Sequence, residues 1–319
     1  MEDVVGLKGK NILITGGTGF VGSHLVELLL KEKAHIVVPF RSLDPRSYFV
    51  TQKLSNKVIL AVGELNDFSR MFDIVTKYEI EYIFHLGAQA IVTTAYKNPR
   101  EAIATNILGT TNILEAARLS GGVKGIIVAS SDKAYGKSRR KYIESDPLRG
   151  DHPYEVSKSS ADLISMAYAK TYSMPIVITR FGNIYGEGDL NFSRIIPGAI
   201  KAIETRTTLE IRSDGTFVRD YVYVKDVVRG YLLLLDLIGK TKGEAYNISS
   251  EESLSVLELI RTIEKVLKKK VKYSILNSQQ NEIPYQSLNF DKVKALGYRS
   301  KDTLSKVLPK IFTWYTSIL

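Results

Sequence analysis

Short runs of apolar residues alternate with longer amphipathic stretches through the first 180 residues of the chain. The amphipathic stretches repeat apolar residues at helical spacing, as Val21, Leu25 and Leu28 do. They predict long helices over Pro99–Leu119 and from Tyr154 to Tyr172. The short runs predict strands over Ile12–Thr15, His35–Phe40, Val58–Val62, Tyr82–Leu86, Gly125–Ser130 and Ile176–Arg180.

These strands are apolar throughout instead of alternating, which indicates parallel strands covered by helices on both faces. The predicted fold class is therefore α/β, a doubly wound parallel sheet of the Rossmann type. After residue 180 glycines and a proline interrupt the pattern, and helices are predicted over Val224–Leu237, Val256–Leu267 and Thr303–Leu319. We expect residues 1–180 to form the first domain and 181–319 mainly a smaller interleaved C-terminal lobe, with about 220–248 returning to the sheet.

The composition excludes several classes of protein and of site. Values of 44% hydrophobic and 24% charged residues are those of a globular chain. The absence of cysteine excludes disulfides, thiolate catalysis and cysteine-ligated metal, and the four histidines lack ligand spacing, so we expect no metal. No apolar run approaches the roughly 18–20 residues of a membrane helix, and no apolar signal stretch precedes the first strand. We therefore expect a cytoplasmic protein with no membrane partner.

The net charge of +10 favours anionic partners. Basic residues are nevertheless spread along the chain, and the densest runs are three residues long. Such runs are typical of solvated faces, and a basic small-molecule site with a lysine-rich surface accounts for the charge as well as nucleic acid does. We expect no nucleic-acid partner.

A glycine-rich loop joins the first strand to the first helix, in the sequence TGGTGFVG from residue 15 to residue 22. Gly16, Gly19 and Gly22 let the backbone turn tightly and approach a pyrophosphate, which then faces the helix N-terminus. We expect the loop to bind a dinucleotide through Gly16, Thr18, Gly19, Phe20 and Val21. The first domain is therefore predicted to bind NAD(P).

The residue after the second strand normally distinguishes NAD from NADP, because a carboxylate there accepts from the adenosine ribose. This chain has Arg41 and Ser42 at that point. Arg41 is compatible with a 2′-phosphate, which would favour NADP, and also with stacking over adenine. After the third strand, Glu64 beside Leu65 is either an acceptor for the adenine amino group or a solvated loop acid. We expect NAD, with NADP possible because of Arg41.

Tyr154 and Lys158 stand four residues apart, on one face of a predicted helix. A neighbouring ammonium lowers the pKa of a phenol, so that the phenolate can remove a hydroxyl proton while hydride leaves the same carbon. Ser131, at the end of the fifth strand, would hydrogen-bond the same oxygen. We expect Ser131, Tyr154 and Lys158 to be catalytic.

Together these residues resemble the extended short-chain dehydrogenase/reductase family that acts on nucleotide sugars. Further matches are the runs that begin at Asn106, Asn183 and Arg219. The resemblance implies a nucleotide-diphosphate hexose in the C-terminal lobe and a homodimer formed through the two long helices. It also implies that Leu86, Ala88, Gln89, Asn106, Tyr154 and Lys158 help to bind the cofactor. The implied substrate residues are Gln89, Ser131, Asn183, Arg194 and Arg219.

Asp132 and Lys133, directly after Ser131, distinguish branches of this family. Epimerases usually carry small or neutral residues there, and the Asp-Lys pair resembles CDP-glucose 4,6-dehydratases. We hypothesise that protonated Asp132 donates to the departing 6-hydroxyl after oxidation at carbon 4 by Tyr154. Lys133 is a base at carbon 5, an electrostatic support or an anchor for Asp132. A nucleotide-sugar 4-epimerase is the alternative enzyme, and a non-catalytic cofactor-binding protein is disfavoured because Tyr154 and Lys158 are both present.

Overall fold

The computed structural model describes residues 6–138, 140–278 and 284–319. Its strands are β1 (Asn11–Thr15), β2 (His35–Phe40), β3 (Ile59–Val62), β4 (Tyr82–His85), β5 (Gly125–Ala129), β6 (Ile176–Phe181), β7 (Asn183–Tyr185), β8 (Leu209–Ile211), β9 (Val218–Tyr223), β10 (Glu244–Ile248), β11 (Ser253–Ser255), β12 (Tyr273–Ile275) and β13 (Tyr285–Gln286). Its α-helices are α1 (Phe20–Lys31), α2 (Tyr48–Thr51), α3 (Phe68–Lys77), α4 (Val92–Lys97), α5 (Pro99–Ile103), α6 (Gly109–Ser120), α7 (Pro153–Thr171), α8 (Ile195–Thr205), α9 (Val224–Asp236), α10 (Ile238–Thr241), α11 (Val256–Leu267), α12 (Asp291–Ala295) and α13 (Leu304–Thr316). Short 3₁₀ turns cover Leu54–Lys57 and Asp132–Tyr135, and a π-helical turn covers Ala104–Leu108.

Seven parallel strands form the main sheet, in the order β10-β6-β5-β4-β1-β2-β3. Alternate side chains of each strand enter different cores: Ile12 and Ile14 pack with α1 and α9, whereas Leu13 packs with α3 and α6. Burial on both faces explains why these strands are apolar throughout. The doubly wound parallel α/β fold predicted from the sequence is confirmed.

The chain order reverses between β1 and β4, which are neighbours in the sheet. In doubly wound sheets, ligands bind at this switch point, beyond the carboxyl ends of the strands. The glycine loop follows β1, and the segment from Leu86 to Gln89 follows β4. The fold therefore brings these two loops together at one edge.

A smaller lobe has its own apolar core, built on α8, α11 and α13. Its sheet contains β11, β9 and β13, with β7 paired to β9. Of the residues about 220–248 expected in the main sheet, β10 joins that sheet and α9 packs on it, whereas 220–223 belong to β9 in the smaller sheet. The division of the chain at residue 180 stays a prediction.

The predicted helix Pro99–Leu119 is continuous in space but contains the π-helical turn between α5 and α6. Asn98 caps its start through a bond from the Glu101 amide, and Pro99 occupies the first helical position, where a missing N–H costs nothing. Within the described residues, no helix is both long and apolar enough to cross a membrane.

Candidate active site

The glycine loop has the close contacts that its sequence predicts. Gly16 has a φ of 69°, and a Cβ there would lie 2.8 Å from the Gly87 amide nitrogen. At Gly22 a Cβ would lie 2.1 Å from the Gly16 carbonyl oxygen. Only glycine permits both the left-handed turn and the close packing of loop, helix and neighbouring strand end.

A cavity of about 590 Å³ opens beside this loop. Eight of the predicted cofactor residues line it: Gly16, Thr18, Gly19, Arg41, Ser42, Glu64, Leu65 and Ala88. Residues not predicted from the sequence also line it, among them Asn98, Arg100 and Glu101 from the start of α5. The Arg41 guanidinium lies 3.8 Å from the Glu101 carboxylate, which links the loop after β2 to α5 across this cavity.

Other predicted cofactor residues lie around the cavity in supporting positions. Phe20 and Val21 begin α1 and pack on the apolar cores, as Leu86 does after β4. The backbone of Gln89 is held from both sides by Asn106, which accepts from its N–H at 2.7 Å and donates to its carbonyl oxygen at 3.2 Å.

Tyr154 and Lys158 lie on α7, which begins with Pro153 at its first position. Lys158 is buried and donates to the Ala129 carbonyl oxygen at 2.8 Å. Burial lowers the pKa of Lys158 to about 8, and Asp162, one turn further along the helix, opposes this shift. The ammonium form therefore predominates at neutral pH.

The Tyr154 phenol is buried, and burial raises its pKa to about 12. Positive charge on Arg194 and a hydrogen bond with Ser131 lower the pKa, whereas the carboxyl of Asp132 raises it. Arg194 is in turn held by Asp189, at 3.1 Å between Nη1 and Oδ2. Burial is the largest of these influences and outweighs the groups that favour the phenolate.

Asp132 and Lys133 lie on the 3₁₀ turn that follows Ser131. The Ser131 hydroxyl donates to Asp132 Oδ1 at 3.0 Å and accepts from the Lys133 amide at 3.2 Å, so it also caps this turn. Asp132 is 2% exposed, and its Oδ1 lies 3.6 Å from Lys133 Nζ.

Burial raises the pKa of Asp132, while Lys133, Ser131 and Arg219 lower it and Asp220 raises it. The structure thus brings Ser131, Asp132, Lys133 and Tyr154 into one electrostatically connected group. A carboxyl with a raised pKa beside a buried phenol suits general acid–base chemistry.

The remaining predicted substrate residues lie in the smaller lobe. Asn183 begins β7, where it pairs with Tyr221 of β9. Arg219 is buried on β9 and donates to the Val218 carbonyl oxygen at 2.9 Å. Arg194 precedes α8.

Sequence reasoning missed a buried polar network that supports α7. Arg180 of β6 forms a two-bonded ion pair with Asp162, at 2.8 and 2.9 Å, and donates to the Tyr135 hydroxyl at 2.7 Å. Tyr135 then donates to Asn247 of β10 at 2.7 Å. An arginine within an apolar strand run is the signal that could have revealed it, because buried charges are almost always paired.

Residues 12–249 match the sequence profile of the NAD dependent epimerase/dehydratase family. The chain is 27% identical over 333 residues to the CDP-glucose 4,6-dehydratase of Salmonella typhimurium, covering 97% of this chain and 91% of that one. It is 30% identical over 336 residues to a trifunctional UDP-glucose 4,6-dehydratase/UDP-4-keto-6-deoxy-D-glucose 3,5-epimerase/UDP-4-keto-L-rhamnose-reductase of Arabidopsis thaliana, covering 99% of this chain. The chain spans 48% of that relative's length.

A similar solved structure is the UDP-glucuronic acid 4-epimerase of Bacillus cereus in complex with UDP-glucuronic acid and NAD. The TM-score is 0.87 at 26% sequence identity, with 97% of this chain and 100% of the other covered. Both reaction types, 4,6-dehydration and 4-epimerisation, are therefore found among proteins similar to this chain.

Proposed function

Because the chain belongs to the NAD-dependent epimerase/dehydratase family, as its sequence motifs predicted, we propose that it is a nucleotide-sugar 4,6-dehydratase. Its substrate would be a nucleotide-diphosphate hexose and its product a 4-keto-6-deoxy sugar nucleotide. One observation carries the proposal: a buried carboxyl, Asp132, with a raised pKa and a lysine neighbour, beside the Tyr154 phenol. Oxidation at carbon 4 alone needs no such acid, whereas loss of water needs one.

The residues of the glycine loop fit NAD, the cofactor of the family. The Cβ-free backbone at Gly16 and Gly19 lies against the cavity, and α1 begins directly after it, so that backbone N–H groups at the helix start favour a pyrophosphate. Glu64 and Leu65 line the same cavity and would hold the adenine end. When bound, NAD would accept a hydride and return it.

Tyr154 would remove the proton of the 4-hydroxyl, with Ser131 hydrogen-bonded to the same sugar oxygen. This role requires the phenol to lose its proton near neutral pH, well below its pKa of about 12. Lys158 is cationic at that pH because its own pKa is about 8. Positive charge near the phenol lowers its pKa, as the charge on Arg194 does.

Asp132 would then donate a proton to the departing 6-hydroxyl. Burial favours the neutral acid, which is the form that can donate. A 4-keto group acidifies the proton on carbon 5, and Lys133, only partly exposed and adjacent to Asp132, would assist its removal as base or as electrostatic support. The reaction balances as follows: the proton lost from carbon 5 and the 6-hydroxyl leave together as water. The hydride taken from carbon 4 would then return to carbon 6 and a proton to carbon 5, which gives the 4-keto-6-deoxy product with the cofactor unchanged.

A 4-epimerase is the second candidate, favoured by the solved 4-epimerase that matches 97% of this chain. The Tyr154 and Lys158 half of the site serves both reactions, since both begin with oxidation at carbon 4. The two candidate reactions differ in whether Asp132 and Lys133 take part in the chemistry.

A homodimer is also part of the proposal. Large apolar side chains are exposed on α5, α6 and α7, including Ile103 at 45%, Leu119 at 51% and Leu163 at 58%. The helices that carry them lie side by side, and a second copy would cover the patch.

The test is product mass spectrometry on a panel of CDP-, dTDP-, UDP- and GDP-hexoses. Loss of one water from one of these substrates is the expected result, and the best substrate identifies the nucleotide. A product of unchanged mass with inverted configuration at carbon 4 would establish the epimerase instead.

A further inference from the structure

His85, at the carboxyl end of β4, has a hydrogen-bond partner on each ring nitrogen although it is buried. Its Nδ1 lies 2.8 Å from the Thr15 hydroxyl oxygen, and its Nε2 lies 2.9 Å from the Thr110 hydroxyl oxygen. The imidazole therefore connects the end of β1, directly before the glycine loop, to α6. His85 has no part in the proton and hydride transfers proposed for this site.

The other hydrogen bonds of the two hydroxyl groups determine which group donates and which accepts in each bond to His85. Thr110 donates its only hydroxyl hydrogen to the Asn106 carbonyl oxygen at 2.7 Å, so it accepts from His85 Nε2–H. Thr15 accepts from the Gly87 amide at 3.0 Å, so its hydrogen is free to be donated to His85 Nδ1. One neutral tautomer, protonated at Nε2, satisfies all four bonds. Burial, with Lys158 nearby, lowers the pKa of His85 to about 3, in agreement with a neutral ring.

The Nδ1 side of the ring supports the glycine loop and the loop after β4. Thr15 holds the Gly87 amide, and Gly87 is the residue against which Gly16 packs most closely. The position of the loop after β4 relative to the glycine loop thus depends on the acceptor at His85 Nδ1. Both loops line the cavity.

The Nε2 side leads to the helix that carries the phenol. Thr110 is bonded to Asn106, which lies in the π-helical turn and holds the backbone of Gln89. The Asn106 amide also donates to the Ser157 hydroxyl at 2.9 Å, and Ser157 donates to the Tyr154 carbonyl oxygen at 2.7 Å. A π-helical turn at this point places the side chain of Asn106 where it reaches both the loop and α7.

We propose that His85 is a positioning residue with two separable effects. Its Nδ1 acceptor fixes the position of the glycine loop for cofactor binding. Its Nε2–H donor fixes the position of α7 for oxidation of the substrate. The ring acts as a fixed spacer with one donor and one acceptor, and takes no part in proton transfer. Both effects precede the point at which dehydration and epimerisation diverge.

Two substitutions separate the two sides of the ring. His85→Asn keeps an acceptor near the Nδ1 position and loses the donor, and His85→Gln keeps a donor near the Nε2 position and loses the acceptor. Calorimetry measures the NAD dissociation constant, and stopped-flow absorbance of the reduced cofactor measures oxidation at carbon 4. Loss of one buried hydrogen bond should change the corresponding quantity, the NAD dissociation constant or the rate of oxidation, by about tenfold.

We expect His85→Asn to bind NAD within about twofold of wild type and to oxidise substrate about tenfold more slowly. For His85→Gln we expect NAD binding about tenfold weaker, with oxidation by the saturated enzyme within about threefold. A residue that only stabilised the fold would alter both readouts together in both variants, and that result would overturn the proposal. If the His85 variants fail to fold, Thr15→Val and Thr110→Val each remove one of the two bonds to His85, together with the bond from the Gly87 amide or to the Asn106 carbonyl oxygen.

The tautomer is tested without any substrate. Nitrogen NMR of the wild-type protein, with the His85 signals assigned from the variants, should show a neutral ring protonated at Nε2 throughout pH 5–9, since the pKa is about 3. A ring protonated at Nδ1, or one that titrates near neutral pH, contradicts the proposal. Because oxidation at carbon 4 is common to both candidate reactions, neither outcome depends on whether water is lost.

Discussion

The two halves of the candidate active site are built on very different supports. Tyr154 and Lys158 lie on α7, a helix of 19 residues, whereas Asp132 and Lys133 lie on a 3₁₀ turn of four residues. In the proposed mechanism, the first pair serves oxidation at carbon 4 and the second pair serves the loss of water. The step that dehydration and epimerisation share would then depend on a long helix, and the step that distinguishes them would depend on a short turn.

The two supports differ in their own anchors and are also joined to each other. The helix is tied to the sheet by the buried Arg180–Asp162 ion pair and to the π-helical turn by Asn106. The turn begins at the Ser131 cap and is joined to the helix network, because Ser159 of α7 donates to the Ala134 carbonyl oxygen and Arg180 donates to the Tyr135 hydroxyl. A few substitutions in the turn would change its chemistry without moving the helix, which suggests how one fold supports both dehydration and epimerisation.

The largest effect is expected at the helix half. Tyr154→Phe removes only the phenolic oxygen and should slow oxidation at carbon 4 by about 10⁴-fold, because it removes the group proposed to take the proton. Stopped-flow absorbance of the reduced cofactor measures it, and NAD affinity from calorimetry serves as the control. Oxidation near the wild-type rate would show that another residue is the base.

Removing the anchor of the helix tests its structural role. Arg180→Met leaves the buried Asp162 carboxylate without its two-bonded partner, and we expect it to lower the free energy of unfolding by about 3–5 kcal/mol. Urea denaturation measures the loss. Arg118→Met, which breaks the more exposed pair with Glu115, is the matched control and should cost less than about 1 kcal/mol. Equal losses in the two variants would mean that the buried network does not anchor α7.

At the turn half, Lys133→Met should slow dehydration by about 10–100-fold and leave oxidation unchanged. The substitution should also raise the pH at which dehydration activity is lost. The ammonium of Lys133 lowers the pKa of Asp132, so its removal keeps the acid protonated further up the pH scale. A rate profile of dehydration against pH measures both effects. A decrease of less than about threefold, with an unshifted profile, would leave Lys133 as an anchor only.

The smallest expected effect concerns protein stability, which the buried charge of Lys158 on α7 lowers. Lys158 has a pKa of about 8 in the folded protein, below the ordinary lysine value of 10.5, so the unfolded chain binds more protons between these pH values. Stability of the wild type should therefore rise from pH 8 to pH 10.5. Lys158→Met removes a buried charge together with its bond to the Ala129 carbonyl oxygen, and should be more stable by about 1–2 kcal/mol at pH 7.

Urea denaturation of both proteins at pH 7 and pH 10 checks this prediction. The difference between them should shrink at pH 10, where the wild-type lysine is largely neutral. A difference that is independent of pH would show that the lysine is not desolvated in the folded protein.

The sequence predicted the main sheet, its helices and the glycine loop well, because each depends on local signals. Continuous apolar runs, helical spacing and glycines at fixed intervals can each be recognised within a stretch of about 20 residues. The Tyr154 and Lys158 pair was visible for the same reason, since both lie on one helix face.

Features that depend on distant pairing were not predicted. The strands of the smaller lobe are short, such as β13 with two residues, and pair with β9 across long sequence separations. Likewise, Glu101 reaches the cavity only through the packing of α5, and the two bonds of His85 join residues 70 and 25 positions apart. Spacing along a sequence carries no signal for such contacts.

The central claim is that oxidation and dehydration are carried by separable halves of one site, and Asp132→Asn tests it most directly. The variant is mixed in a single turnover with the best substrate, deuterated at carbon 4, while cofactor absorbance and product mass are followed together. We predict oxidation within about threefold of wild type, with water loss slowed by about 10²–10⁴-fold. In the wild type, the label should move to carbon 6 as water is lost. Dehydration by the variant at the wild-type rate, or loss of oxidation together with dehydration, would contradict the account.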